Sequence, residues 1–441
     1  MGTKQESTLD PATAGISYLR GVTAEGASVL AAKARFNAQD YGVKPANSAA
    51  TNSANLQTLS DLAYAQTYGG SIFFPAGLYS FDPADQVTFP KASGKSVELV
   101  GEHWGTVFNV GSSTTNTAFY IGSGLSANTV DLTVRNIKFV GGSTTTGQAF
   151  TTEWANGLRF KNCSFSTMKN VALMTSCYGV IFEMCQFENV GGANVYSTTH
   201  CHHLVFDRCG VYNAGVAGTA QFIHIDAGHT DNLVIRDSVF EGCRQIIRAD
   251  DGLSAFIFEG NYTEYCVTDP FDFGTGVYGN SMSNNWLALG SSFSFANWTG
   301  GEFSRNRLFD QTITFGSTCT DVHIADNRIT GTSVLTSSAM MHAPSMLNSA
   351  TSDATYPVKY SKSDGIVQLH GKVNNCPGGG SPVFSLPAGY RPLQTGQWGA
   401  SRSSTQNDRV VVIDASNGNV VPSSSLAESV YLDGIMFRVA N

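Results

Sequence analysis

The stretch LRFKNCSF (158–165) recurs along the chain with its apolar positions preserved. Nine related segments begin between residues 132 and 322, and successive starts are 21 to 29 residues apart. Alternating apolar positions within each segment predict short strands with one buried face. A repeat of about 23 residues with two or three strands predicts a parallel β-helix, in which stacked coils bury a continuous core. Clear further copies are LTVRNIKF (132–139), VIFEMCQF (180–187), LVFDRCGV (204–211) and LVIRDSVF (233–240).

One position of the repeat holds a small or polar residue in coil after coil. Like residues stacked at a turn of a solenoid form ladders of side chains. Metal ligands rarely all lie in one parallel column, so the cysteines of this position are predicted to be buried thiols and not a metal site. The position holds Cys163, Cys185 and Cys209, and later Asn261, Asn285, Asn306 and Asn327.

The composition of the 441 residues favours a turn-rich β protein. Charged residues make up 14% of the chain, against about 25% in ordinary globular proteins, while glycine occurs 46 times. The 26 basic and 34 acidic residues give a net charge of −8, which argues against nucleic acid as the main partner. Nine cysteines with neither CxxC nor HExxH indicate reduced thiols, and we predict no metal and no cofactor.

The termini and the segment boundaries lead to further expectations. Charged residues interrupt the first thirty residues, so no secretory signal peptide is expected, and no apolar run of about 18 residues predicts a membrane span. We predict a leader over residues 1–35, a β-helix over 36–340, a linker over 341–357 and a small antiparallel β-sandwich over 358–441.

Two helices are predicted before the repeats. Leucines at helical spacing predict a helix from Asn55 to Tyr68 that stops at Gly69-Gly70. A second, short helix is predicted from Ala24 to Arg35.

Segments at both ends of the chain resemble phage proteins. FNAQDYGV (36–43), the helix after it and GGSIFFPAGLYSF (69–81) resemble the opening of the pectate-lyase-like family found in phage tailspikes. DGIVQLHGKV (364–373) and FSLPAGYRP (384–392) resemble the trimeric β-sandwich tips of phage fibres. The acidic residues that usually precede the capping helix are missing from PANSAATNSAN (45–55), and no catalytic residue is transferred by the resemblance.

The resemblance implies a right-handed β-helix with an N-terminal capping helix. It also implies a homotrimer on a virion, with other phage tail or baseplate proteins and a bacterial surface polysaccharide as partners. The site itself has to be found from the residues of this chain.

A second strand follows each repeat, and aligning these strands by period predicts a site. The second position of each is apolar and is predicted to point inward: Leu173, Val195, Ile223, Ile247 and Phe271. Alternation then sends the third and fifth positions outward. The third positions are Met174, Tyr196, His224, Arg248 and Asp272, and the fifth are Ser176, Thr198, Asp226, Asp250 and Gly274.

These outward residues suit polysaccharide cleavage. Asp226 and Asp250 occupy equivalent positions on adjacent coils, which predicts a separation of about 5 Å, close to that of the two carboxyl groups in a retaining glycoside hydrolase. Mutual repulsion would raise one pKa and create an acid, while Arg248 holds the other carboxylate ionised or binds a sugar acid. His224 is predicted to tune the pair or act as a base, and Asp272 lies on the same face.

Three further residues are assigned to substrate binding. Tyr196 is predicted to stack on a sugar ring or bond to it, while Glu264 and Asp269 extend a groove towards Asp272. The alternative is a surface charge ladder in which Arg248 only neutralises its acidic neighbours.

Three competing functions stay open. On a uronic acid polymer, β-elimination with Arg248 or His224 as base competes with hydrolysis. A non-catalytic glycan-binding fibre and a cellular pectate-lyase-like enzyme also remain compatible with the residues of the chain.

Two columns and a histidine cluster lie apart from the predicted site. A charged column on the first repeated strand, from Lys161 to Glu259, is interpreted as structural. Its apolar neighbour, from Ile181 to Ile257, predicts a surface that a homotrimer covers. The histidines at 200, 202 and 203 are interpreted as a turn cluster, because zinc would need a carboxylate or thiolate in reach.

Overall fold

The structure is a computed structural model, and its described residues form two compact units. One unit spans 1–298, 305–313 and 328–334, and the other spans 299–304, 314–327 and 335–441. The described residues are 17–22, 28–89, 95–122, 131–192, 195–197, 200–215, 221–226, 228–266, 270–274, 277–288, 293–316, 319–330, 334–337, 342–363, 366–377, 380–402, 409–423 and 428–439.

The first unit opens with an edge strand and a helix. The helix Ala49–Ala65 begins earlier than predicted because the side chain of Ser48 caps it, accepting a hydrogen bond from Thr51 N. The predicted helix from Ala24 to Arg35 is wrong: Ser28–Asn37 is a strand that pairs with Ser17–Val22 and, in parallel, with Gly70–Phe74. Pairing on both edges outweighs the helical preference of its alanines. Short 3-10 helices cover Ala38–Tyr41, Pro83–Asp85 and His103–Gly105.

The predicted right-handed parallel β-helix is confirmed, with three sheets that each coil extends by one strand. In the first unit, the first sheet contains Ser17–Val22, Ser28–Asn37, Gly70–Phe74, Ser96–Gly101, Asp131–Arg135, Leu158–Lys161, Tyr178–Glu183, His202–Asp207, Thr230–Arg236, Leu253–Ser254, Ile257–Glu259 and Val277–Ser283. The second sheet contains Gly77–Ser80, Thr106–Asn109, Lys138–Val140, Ser164–Ser166, Gln186–Glu188, Gly210–Tyr212, Val239–Glu241, Tyr262–Glu264, Trp286–Ala288, Arg307–Phe309 and Arg328–Thr330. The third sheet contains Val87–Phe89, Phe119–Gly122, Gln148–Glu153, Asn170–Thr175, Val195–Ser197, Ile223–Ile225, Ile247–Ala249 and Phe271–Phe273. Phe293–Phe295 is a further short strand.

The core of the coils is a stack of aromatic rings. Phe182 lies parallel to Phe160 and Phe206, with ring centroids 4.8 and 5.0 Å apart, and all three side chains are buried. One inward position of each first-sheet strand therefore forms a continuous column along the axis. Stacked rings of this kind add attraction beyond the burial of their area.

The predicted ladder at the turn between the first and second sheets is confirmed. Cys185 Sγ donates to Phe160 O, and Asn285 Nδ2 donates to Phe258 O, so the side chain bonds the preceding coil in both cases. All nine cysteines are described, and all are buried thiols. Burial raises the pKa of Cys209 and of Cys243 to about 12, which keeps these thiols protonated and unreactive. The residue before the ladder position has positive φ in successive coils: Asn136, Asn162, Met184, Arg208, Asp237, Gly260 and Asn284.

The second unit ends in two antiparallel sheets around one buried core. The predicted linker over 341–357 is not a separate segment, because Ala350 is buried in this core and Thr351–Ser352 pairs with Lys372–Cys376. The antiparallel strands are Thr351–Ser352, Lys359–Ser363, Ile366–His370, Lys372–Cys376, Phe384–Ser385, Gly396–Arg402, Arg409–Ile413, Asn419–Pro422, Glu428–Tyr431 and Met436–Arg438. Thr320–Ala325 is a parallel strand of this unit, while Trp298–Ser304, Thr312–Phe315 and Val334–Ser337 have residues in both units. Within the described part of the chain, no helix has the length and apolar character to cross a membrane.

Candidate active site

The predicted outward column on the third sheet is confirmed in its backbone register. Tyr196 pairs with His224, His224 with Arg248, and Arg248 with Asp272. The neighbouring isoleucines Ile223 and Ile247 are fully buried, so His224 and Arg248 between the inward positions face out of the coil. Four successive coils therefore bring their third positions onto one face.

The alignment of the first coil is wrong by one residue. Ala172 pairs with Val195 and Leu173 pairs with Tyr196, so Met174 points inward and is fully buried. The four consecutive apolar residues 171–174 allow either register by pattern alone, and a one-residue slip exchanges the two faces of a strand. The outward residue of this coil is Leu173, which is half-buried.

Asp250 is bonded by an imidazole and a guanidinium. His224 Nε2 lies 2.8 Å from its Oδ2, and Arg248 Nε donates to its Oδ1 at 2.7 Å. Burial by itself would raise the pKa of Asp250, but the hydrogen bonds from His224 and Arg248 outweigh burial and lower the pKa below its ordinary value. Asp250 is therefore ionised, and it is not the carboxyl group of raised pKa in a coupled pair.

Asp226 completes the cluster. The pairing of Ile225 with Ala249 carries Asp226 and Asp250 to the next equivalent position of adjacent strands. A nitrogen of His224 and one oxygen from each carboxylate lie within 4.8 Å of one another. Asp226 is exposed, and it makes no side-chain hydrogen bond or ion pair with other described residues. Such spacing is compatible with a shared divalent cation, but the Asp250 carboxylate already has the Arg248 guanidinium as its ion-pair partner.

The remaining predicted residues lie in different places. Asp272 is exposed beside Arg248, and its charge helps to raise the pKa of that guanidinium, as Asp250 does more strongly. The backbone of Tyr196 lies in the column, but its side chain lies outside the described residues, as does the whole of Asp269. Glu264 lies on the second sheet, where it accepts a hydrogen bond from Tyr262 Oη at 2.7 Å.

The charged column on the first sheet forms a chain of ion pairs. Lys161 Nζ lies 3.0 Å from Glu183 Oε1, and Arg236 Nε lies 2.8 Å from Asp207 Oδ1. Burial raises the pKa of Asp207, but hydrogen bonds from Arg208 and Arg236 lower it overall. Glu183 and Asp207 each have a cation partner, as in a structural ladder, and Glu259 accepts a hydrogen bond from Asn284 Nδ2.

The apolar neighbour of this column forms the floor of a groove of about 370 Å³. Ile181 and Val234 lie in register on either side of Val205, and the ion pairs form one wall. The groove lies on a different sheet from Asp250.

A polar cluster on the first sheet was missed by the sequence analysis. Asp231 Oδ2 lies 2.9 Å from His202 Nδ1, and Asp231 Oδ1 lies 2.8 Å from His229 Nε2 and accepts a hydrogen bond from Ser254 Oγ. A carboxylate is thus within reach of the histidine turn. The two imidazoles bond different oxygens of Asp231, which is the arrangement of an ion-pair cluster. The signal in the sequence was the recurrence of polar residues two or three positions before the repeat.

The stack of three-sheeted parallel coils is a β-helix of the pectate-lyase-like kind. The sequence model of the family Rhamnogalacturonase A/epimerase, pectate lyase-like, matches residues 35–270, more than half of the chain. The chain belongs to this family. No curated protein matches the sequence closely enough to count as a relative.

Solved structures share the fold at low sequence identity. DFA-IIIase from Arthrobacter chlorophenolicus A6 is similar with a TM-score of 0.51 and 10% identity, over 69% of this chain and 86% of that one. The ORF18 protein of Geobacillus virus E2 has a TM-score of 0.41 and 13% identity, over 98% and 86%. Tailspike protein 3 of bacteriophage CBA120 has a TM-score of 0.42 and 12% identity, over 79% and 71%. At these identities the likeness is one of fold.

Proposed function

We propose that this protein is a tailspike that depolymerises a bacterial surface polysaccharide by glycoside hydrolysis. The observation that carries the proposal is the convergence of His224, Asp226 and Asp250 within 4.8 Å on an outward, accessible face. Membership of a family described by rhamnogalacturonase A and an epimerase supports a carbohydrate substrate. The resemblance of both chain ends to phage proteins supports a place on the virion tail.

The two carboxyl groups take different roles. Asp250, held ionised by His224 and Arg248, faces the anomeric carbon as nucleophile or as stabiliser of the developing positive charge. A sugar ring bound over the two carboxyl groups excludes water, and two close carboxylates then resist double ionisation. Asp226, which makes no ion pair with the described residues, is the proposed general acid and donates a proton to the glycosidic oxygen. Water then attacks the anomeric carbon and returns a proton to Asp226, so that a new reducing end forms. One carboxylate oxygen of Asp226 lies within 4.8 Å of one carboxylate oxygen of Asp250. This separation suits retention of configuration better than inversion, which needs about 6.5–9.5 Å between the carboxyl groups.

The competing activity is β-elimination on a uronic acid polymer. The contact between His224 and Asp250 favours β-elimination, because a carboxylate can orient an imidazole as a base. Incubation of the purified protein with a panel of capsules and O-antigens separates the activities. Loss of polymer size with a new reducing end and no ultraviolet absorbance supports hydrolysis, whereas absorbance from an unsaturated uronate overturns it in favour of a lyase.

We expect substitution of Arg248 to change the pH dependence of cleavage. The Arg248→Gln variant loses the guanidinium that helps to hold the pKa of Asp250 below its ordinary value, so that pKa rises. Since the ionised form of Asp250 is the active one, the acid limb of the kcat profile moves to higher pH. Arg248→Lys keeps the positive charge, so the acid limb should move less in this variant than in Arg248→Gln. An unchanged acid limb in Arg248→Gln contradicts the role of Arg248.

Chelation is expected to leave cleavage unchanged. Arg248 already supplies a positive charge next to Asp250, so the proposed steps need no cation from solution. Cleavage rates before and after dialysis against EDTA test this expectation. A loss that added calcium restores would assign His224, Asp226 and Asp250 to a metal site instead.

The oligomeric state forms part of the proposal. A homotrimer that covers Ile181, Val205 and Val234 would remove the apolar floor of the first-sheet groove from water. Sedimentation equilibrium of the full chain tests it directly, since a monomer at micromolar concentration is incompatible with this assembly.

A further inference from the structure

A row of aromatic and cationic side chains crosses the outer face of the second sheet, on different strands from the Asp250 cluster. Tyr262 pairs with Trp286, Trp286 with Arg307, and Arg307 with Arg328, so the four positions form one column over four coils. We call this column the Trp286 patch. The mechanism above uses none of its residues.

Arg307 is the unusual member of the patch. Its guanidinium carbon lies 4.1 Å from the centre of the Trp286 ring, within the range of a cation–π contact. Its Nε is buried and has no hydrogen-bond partner. Among the described residues, no carboxylate lies within ion-pair distance of Arg307 or of the exposed Arg328. Two neighbouring cations thus lack an anion in a chain that carries more acids than bases.

Stacking on Trp286 fixes the plane of the guanidinium without using its donors. A planar, preoriented guanidinium is suited to a carboxylate, which it binds through parallel hydrogen bonds. Arg328, one strand further along the column at about 4.8 Å, adds a second positive charge for the same or the next anionic group. The site is therefore complementary to an anion that reaches the terminal nitrogens of Arg307.

We propose that the Trp286 patch binds the carboxylate of an acidic sugar and forms a polysaccharide-binding site separate from the Asp250 cluster. The choice of a sugar as the carrier of the carboxylate rests on the proposed function. A second copy of this chain is the less suitable occupant, because stable subunit contacts bury about 800 Å² on each partner. The apolar stripe suited to such a contact lies on the first sheet, around Val205.

Calorimetric titration of the full chain with hexagalacturonate tests the proposal. We expect binding by the unaltered protein, no binding of the fully methyl-esterified hexamer, and at least tenfold weaker binding by Arg307→Gln. Arg307→Lys keeps a charge but loses the planar donors, so it should also bind more weakly, and it guards against a folding defect. Arg35→Gln is the matched control, since Arg35 is an exposed arginine whose guanidinium carbon lies 5.5 Å from the centre of the Phe73 ring.

The outcomes separate this proposal from the proposed function. Asp250→Asn should keep hexagalacturonate affinity while losing cleavage, so failure of one claim leaves the other standing. Absence of binding, equal binding of the methyl ester, or unchanged affinity in Arg307→Gln overturns the carboxylate site. A lower sedimentation mass for Arg307→Gln than for Arg35→Gln also overturns it, in favour of a contact between copies of the chain.

Discussion

Asp250→Asn is expected to reduce cleavage of the polysaccharide substrate by about 10³-fold or more, with little change in stability. The substitution removes the negative charge that His224 and Arg248 hold in place, but it keeps the size of the side chain. The carboxylate is about one-third exposed, so folding should depend little on its charge. Initial rates of polymer size loss, measured at matched concentrations of folded protein, give the comparison.

Asp272→Asn is the matched control for this prediction. Asp272 lies in the same column, one strand beyond Arg248, but it is not part of the cluster with His224 and Asp226. We expect it to keep cleavage within a few-fold of the unaltered protein. Asp226→Asn should resemble Asp250→Asn, because the proposed mechanism needs both carboxyl groups. If both variants cleave normally while they stay folded, the assignment of the site is wrong.

Phe182→Ala is expected to lower the free energy of unfolding by about 3–5 kcal/mol. Its ring is fully buried between Phe160 and Phe206, and truncation leaves a cavity that the rigid coils above and below cannot close. The loss should also weaken the stacking of the two neighbouring rings. Urea unfolding followed by the circular dichroism of the β-structure measures the change.

Phe309→Ala is the control for the core prediction. Phe309 lies on a strand of the second sheet with 44% of its surface exposed, so its truncation removes little buried area. If Phe182→Ala lowers the free energy of unfolding no more than Phe309→Ala does, the aromatic column does not stabilise the coils.

The repeat is readable from the sequence because each coil repeats the same local requirements. Inward apolar positions such as Phe160 and Phe182 and ladder residues such as Cys185 and Asn285 meet the same surroundings in each coil. The wrong assignments fall where this repetition is absent. The pattern around Ser28–Asn37 favours a helix because the pairing partners of the strand are not visible in its own sequence. The run containing Met174 offers two equivalent apolar registers.

The candidate site was partly predictable for the same reason. The spacing of the repeats was enough to predict that His224 and Arg248 lie on one face, since a parallel sheet with constant register stacks equivalent positions. Period could not show that both side chains bond Asp250 and leave Asp226 without a cation partner. It also could not bring His229 to Asp231 or place Arg307 over Trp286, because these contacts depend on rotamers and turns.

The sequence by itself determined that this chain is a parallel β-helix and, outside the coil of Met174, which positions of the third-sheet strands face outward. Both follow from the alternation of apolar and polar residues within each strand and from the spacing of the repeats along the chain, which can be read without knowing any contact between side chains. Only the tertiary structure decided which outward charges pair and which do not. The reason is that pKa values and ion pairs depend on distances of a few ångströms between side chains of different coils. Hydrogen bonds from His224 and Arg248 lower the pKa of Asp250, whereas Asp226 makes no ion pair with the described residues.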